Sequence, residues 1–203
     1  SRLLVGGQRT FVQGLAAAAL AVSLGGLAGL IMSSGPRLMA VPVRAVSTAL
    51  LAAPQLVWSL AILSLLGAGP VPLVLAVGLP LAAPMAAVSR AALERVQAMP
   101  FVAGVHAIGA GRMRIATRHL LPNAVSVMAR YSAVLFAYAV LNAAGLAFLG
   151  FSEPGEPEWG AMLSEARMTF RASPWPAVAS GVAITMLVWS ALAFARRSAQ
   201  PMR

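Results

Sequence analysis

The sequence has no cysteine, no lysine and no aspartate. Without cysteine, neither a disulfide framework nor a thiolate metal site can form. The two histidines, His106 and His119, lie in one polar stretch, too far apart and with no carboxylate between them to make a metal site or a catalytic pair. No cluster of acid, base or metal ligands appears, which removes the enzyme classes that depend on one. Charge itself is scarce. Only 10% of the 203 residues are charged, against about a quarter in soluble domains. No signal peptide is expected in these residues: the apolar run after Arg2 and Arg9 is too long for an h-region and lacks a convincing cleavage signature.

In place of charge there is hydrocarbon. The chain is 60% hydrophobic, and it supplies several runs near the roughly 20 apolar residues that a membrane helix needs. A β-barrel would show short alternating segments instead. The expected fold is therefore all-α: a polytopic helical bundle forming a single transmembrane domain over residues 1–203. Five spans are expected, at about 11–33, 45–66, 71–88, 124–151 and 176–195. Gly25-x-x-x-Gly29 in the first either lets a neighbouring helix approach closely or reflects an Ala/Gly-rich composition. Ser34-Gly35-Pro36-Arg37 breaks the chain, and Pro42 and Arg44 read as a continuation of that connection. Pro54 should kink the second span. Pro80 and Pro84 suggest a bent third span within the bundle.

The net charge of +10 comes from 15 arginines against five glutamates. Nucleic-acid binding is one source of such basicity, but the apolar runs leave no soluble domain to read a groove. The positive-inside rule is the better account. With residues 89–123 and 196–203 in the cytoplasm and 152–175 outside, eleven arginines fall inside and four outside.

The most informative stretch is the polar segment 89–123. Residues 89–99 can form a helix with Arg90 and Glu94 paired at i, i+4, stopped by Pro100. Residues 101–108 can form a short helix with Phe101, Val105 and Ile108 on one face, and Gly109 is placed to turn the chain with positive φ. Residues 111–121 can form a basic helix carrying Arg112, Arg114 and Arg118, ended by Pro122. Periodicity leaves two readings equal: docking into a groove on a partner protein, or lying on anionic headgroups.

Ala92-Leu-Glu-Arg through Arg118-His-Leu-Leu-Pro-Asn123 resembles the cytoplasmic EAA loop of the dipeptide/oligopeptide/nickel branch of ABC importer permeases, with Gly109 on the motif's glycine. Phe148-Leu-Gly-Phe151 and Glu158-Trp-Gly-Ala-Met-Leu-Ser-Glu-Ala-Arg167 are similar to a second block of that branch, and Ser1-Arg-Leu-Leu4 to the start of its shared core. The resemblance covers nearly the whole chain. It implies a MetI-like fold in a bacterial inner membrane, with a first span preceding residue 1. It implies a non-catalytic subunit forming half of a pathway for peptides, nickel, an opine or another metal chelate. The implied partners are a second homologous permease, two ATPase subunits that hold the ATP, an external substrate-binding protein and membrane lipid; no cofactor sits on this chain and no nucleic acid binds. The implied ATPase-coupling residues are Phe101, Val105, Ile108, Gly109, Arg112, Arg114 and Arg118.

The chain departs from the branch in three places, one of them late in the fourth span, where Asn142-Ala143 stands in place of the branch's frequent acidic residue. The motif's Glu-Ala-Ala falls on Ala103-Gly104-Val105, and the usual acidic ending is replaced by Ala193-Phe-Ala-Arg-Arg197. Gln55 and Asn142 are candidate pathway residues, with ordinary interhelical hydrogen bonding as the bland reading of both. Trp159, Met162 and Glu165 are candidates for docking an external protein. Glu153, Glu156 and Glu158 read as a solvated face. The rival function is a self-contained channel or secondary transporter, which calls for intramembrane ionisable groups, a filter or inverted repeats; only Arg130, near a span end, comes close.

Overall fold

The computed structural model describes residues 2–107, 109–153 and 155–197, and among them there is no β-strand. Among the described residues nine α-helices follow one another: α1 Arg2–Ser34, α2 Arg37–Ala52, α3 Gln55–Leu66, α4 Pro70–Gln97, α5 Pro100–Ala107, α6 Arg112–Ile115, α7 Leu121–Phe148, α8 Trp159–Thr169 and α9 Trp175–Arg197. A π-helical turn, Ala116–Leu120, joins α6 to α7. Four stretches are long and apolar enough to cross a membrane, and α2 with α3 make a fifth, bent by 102°.

The topology follows from a few contacts. Gln97 at the end of α4 donates through Nε2 to the Ser33 carbonyl at the end of α1, 3.2 Å away. Pro70 at the start of α4 lines a cavity with Arg9 and Gln13 near the start of α1. So α1 and α4 run parallel, and the chain between them must return across the bundle. The bent pair α2–α3 makes that return, which gives five crossings. The ends of α1, α4 and α9 lie at one end of the bundle with α5 and α6; residues 152–175 lie at the other. This is the relative placement that the arginine distribution predicts.

The parallel seam between α1 and α4 is made by glycine. A Cβ on Gly29 would stand 2.5 Å from the Ser89 Cβ and 2.9 Å from the Ala86 carbonyl; one on Gly25 would strike the Ala82 carbonyl and stand 2.6 Å from the Met85 Cβ. Of the two readings of Gly25-x-x-x-Gly29, close helix approach is the one the structure adopts. Around the seam Ala17, Ala21, Leu73, Val77, Leu81, Met85, Leu135 and Leu146 form the core.

Three expected boundaries are corrected. Helix begins at Arg37, not near residue 45, so Pro42 and Arg44 lie inside α2 rather than in a connection. Pro36 stands at the N-cap, where its fixed φ suits helix entry. Residues 89–97 form no separate helix, because α4 runs unbroken through Pro80 and Pro84 to Gln97. Pro122 does not end a helix either. The amide of Leu121 donates to the carbonyl of Ala116, five residues back. That widened turn accommodates a proline ring that would clash with a carbonyl four residues earlier. The Asn123 side chain then donates to the His119 carbonyl at 2.6 Å.

Candidate functional site

The arginine-rich end carries the first candidate. After Gln97 the chain turns, and Pro100 opens α5 at its first position, where its missing N–H costs nothing. Val102 is the anchor of this helix. It is 3% exposed and packs with Leu93, Val96, Ile115, Leu120 and Ala124. Val105 packs against the same cluster, so it faces the protein rather than a free surface. The expected face of Phe101, Val105 and Ile108 is corrected accordingly: a residue at i, i+3 from Val102 turns inward with it. Phe101 remains 43% exposed, its ring 6.4 Å from His119. Ala103 and Gly104 are exposed beside it, and Ile108 lies outside the described residues. Gly109 has φ +83°, and nothing stands within 4 Å of where its Cβ would be. The turn is thus a backbone requirement, as the sequence predicts.

Behind α5 lies a cavity of about 470 Å³, lined by Ser33, Ser34, Gln97, Val102, Ile115 and Leu120 among others. Gln97 bridges it, donating also to the Ser34 hydroxyl at 3.0 Å. Arg114 and Arg118 are exposed and, among the described residues, in no ion pair. The side chain of Arg112 lies outside the described set. Glu94, the one acid at this end, is held by Arg90 at 2.7 Å. The surface around α5 is therefore apolar at Phe101 and cationic around it.

The opposite end carries an intramolecular clasp that sequence reasoning missed. The start of α1 is fastened to the 153–165 segment by Arg2 to Glu165 at 2.9 Å and Arg9 to Glu156 at 2.7 Å, with Glu153 at 3.9 Å. Trp159 lies over Gly7, whose Cβ would stand 2.5 Å from the ring, and its Nε1 donates to the Leu3 carbonyl at 2.9 Å. Met162 packs on Gly6. Glu158 does not belong to a solvated face: it is 3% exposed and accepts from Gln13 Nε2 at 2.6 Å. The signal was present in Gly6-Gly7 and Gln13, polar or small residues opening an apolar helix, but their partners lie about 150 residues away. Trp159 and Met162 are thus half-buried in this clasp, and Glu165 is exposed but paired.

Burial raises the Glu158 carboxyl above the ordinary glutamate range; the Gln13 hydrogen bond and the Arg9 charge oppose the rise, and Glu153 adds to it. The folded state therefore binds this proton more tightly than the unfolded chain. Stability from this group is fully present below the ordinary glutamate pKa and is lost as pH climbs through the raised value. Glu158→Gln keeps an acceptor for Gln13 and removes the titration. We expect it to raise the melting temperature at neutral pH and to flatten its fall between acid and neutral pH. A variant less stable than wild type at neutral pH would show that the ionised form is the one the clasp needs.

The candidate pathway residues separate. Asn142 donates to the Tyr138 carbonyl in its own helix at 2.8 Å, so it bridges no helices. The Gln55 amide nitrogen is buried without a partner at the start of α3, whereas Asn142 lies two residues from Ala144, on whose backbone Gly160 packs.

The description "binding-protein-dependent transport system inner membrane component" fits residues 21–203 as a family model. This chain belongs to that family. Among other members, the di/tripeptide transport system permease protein DppC of Pseudomonas aeruginosa (strain UCBPP-PA14) is 29% identical over 189 residues, covering 93% of this chain and 62% of that protein. The glutathione transport system permease protein GsiD of Escherichia coli O1:K1 / APEC is 33% identical over 140 residues, covering 68% and 46%. This inner membrane component thus spans about half to three-fifths of the length of the curated relatives it matches. Its fold matches a chain of the MetNI methionine ABC transporter in an inward-facing conformation, with TM-score 0.74 at 15% identity over 98% of this chain and 96% of that one. A chain of an amino acid ABC transporter crystallised with histidines gives 0.71 at 17% identity, covering 97% and 94%. The expected MetI-like all-α bundle is the fold observed.

Proposed function

We propose that this chain is the permease subunit of an ABC importer in a bacterial inner membrane, forming half of a pathway for peptides or a related small solute. It performs no chemistry. A second, similar permease completes the pathway, two ATPase subunits supply the free energy, and an external binding protein delivers the substrate. The observation that carries this reading is α5: a short helix fixed to the bundle by Val102, presenting Phe101 in a cationic surround, and terminated by Gly109 at positive φ. Such a helix is built to be gripped by a partner groove. Phe101, Val105, Ile108 and Gly109, with Arg112, Arg114 and Arg118, are the proposed coupling set; within it Phe101 makes the contact and Val105 steadies the helix. Peptide is the favoured substrate class because the relatives are named for di/tripeptide and glutathione transport.

The test is uptake of labelled dipeptide into proteoliposomes that hold the complete complex. Uptake that requires both ATP and the binding protein is expected. Uptake without ATP, driven by an ion gradient, would replace this reading by a secondary transporter.

A further inference from the structure

Arg44 lies where the sequence does not lead one to expect it. It belongs to α2, and its neighbours Pro42, Val43, Val46, Ser47 and Leu50 line a groove with Leu24 and Ala28 of α1 and Leu79, Ala82 and Ala83 of α4. This part of α2 therefore runs alongside the middle of α4, not at the bundle's end. No residue of α2 is buried. Arg37, Arg44 and Thr48 recur at i, i+7 and i+11, so they share one flank of the helix. All three are exposed. The side that packs on the bundle is a different one, carrying Val43, Ser47 and Leu50.

An arginine at this depth does not face hydrocarbon without a counter-charge or water. The chain has no acid left to give it. Glu94 is held by Arg90, Glu153 and Glu156 by Arg9, Glu165 by Arg2, and Glu158 is buried against Gln13. Arg44 itself is, among the described residues, in no ion pair. Val41 and Leu51 are exposed on the same flank, so Arg44 and Thr48 are charged and hydroxyl donors in a half-apolar strip, a pairing suited to a passing anion that also carries apolar side chains.

We infer that Arg44 lines the translocation pathway and binds the carboxylate of the solute in transit, with Thr48 beside it as a neutral donor. This rests on the permease reading above and narrows it: the substrate class is a small peptidic acid, recognised in the membrane by its negative end. The carboxylate is the one group that every unmodified peptide offers, so such a contact serves transport without selecting side chains.

Because the chain has no cysteine, Arg44→Cys gives it a single thiol. In the complete reconstituted complex, that thiol should react with a water-soluble methanethiosulfonate, and saturating free-acid dipeptide with binding protein should slow the reaction. Aminoethyl methanethiosulfonate, which restores a cation there, should recover uptake; the uncharged methyl reagent should not. Arg44→Gln should lower uptake of the free acid by about tenfold or more, the usual worth of a hydrogen bond to a charged group, and Arg44→Lys should keep most of it. A thiol that is inert to the water-soluble reagent would place Arg44 on lipid and overturn the inference. Equal recovery with both reagents, or loss of complex assembly in Arg44→Gln, would overturn it in favour of a structural contact with another subunit. The two readings fail separately: wild-type complex that takes up no peptide with ATP defeats the permease reading, whereas normal wild-type uptake with an indifferent Arg44 defeats only this one.

Discussion

Gly25→Ala is expected to destabilise the bundle by about 1–3 kcal/mol, while the same change one residue on, Gly26→Ala, is neutral or slightly stabilising. Both glycines lie inside α1, and both gain helix propensity from alanine. They differ in what the new methyl meets. At Gly25 it strikes the Ala82 carbonyl and the Met85 Cβ, and the first of these is backbone that cannot rotate aside. At Gly26 it meets only the Met128 methyl, 3.2 Å away at the tip of a flexible side chain. Gly29→Ala should resemble Gly25→Ala, since Ser89 and the Ala86 and Arg90 backbone close on it. Thermal unfolding in detergent, with the monodisperse fraction on size exclusion, reads the contrast. Equal stability for Gly25→Ala and Gly26→Ala would mean the seam is not tight.

The second large effect is on coupling. Phe101→Asp is expected to lower substrate-stimulated ATP hydrolysis and uptake together by about 30-fold, the scale of losing one central interface residue. The permease should still insert and fold, because Phe101 is not what anchors α5; Val102 is. Gly109→Val should act through the backbone alone. Its φ of +83° costs a β-branched residue about 1–2 kcal/mol, and the space around it is open. Gly109→Asn, which tolerates that conformation, should restore most of the activity. Full uptake in both Phe101→Asp and Gly109→Val would leave α5 a passive surface element.

Much of this architecture was legible because membrane spans are written in local composition. The five crossings, the break at Pro54, the Arg90–Glu94 pair and the turn at Gly109 each depend on residues close in sequence. What escaped was set at long range or by backbone detail. Nothing local says that Glu158 is met by Gln13 or that Trp159 lies over Gly7, so a run of glutamates read as a solvated face. Pro42 and Arg44 looked like a connection, yet α2 carries both because it is an edge helix whose flank need not be apolar. Pro122 looked like a helix stop, and a single widened turn made it part of a span. At α5 the expected outward face is split: Phe101 is exposed as the docking reading requires, while Val105 turns inward with Val102.

The glycine seam also decides how this molecule can move. Two helices separated by side chains can shear, because rotamers give way as ridges pass. Here a slip of one residue would put a Cβ where Gly25 or Gly29 presents only hydrogen, so shear between α1 and α4 is blocked by backbone rather than by rotamers. The corner at Ala53–Pro54, where the chain bends by 102°, is braced in its turn: Trp58 Nε1 donates to the Leu50 carbonyl across it at 3.1 Å. The parallel pair is thus a fixed strut, and any rearrangement of this bundle has to be made by the elements packed around it.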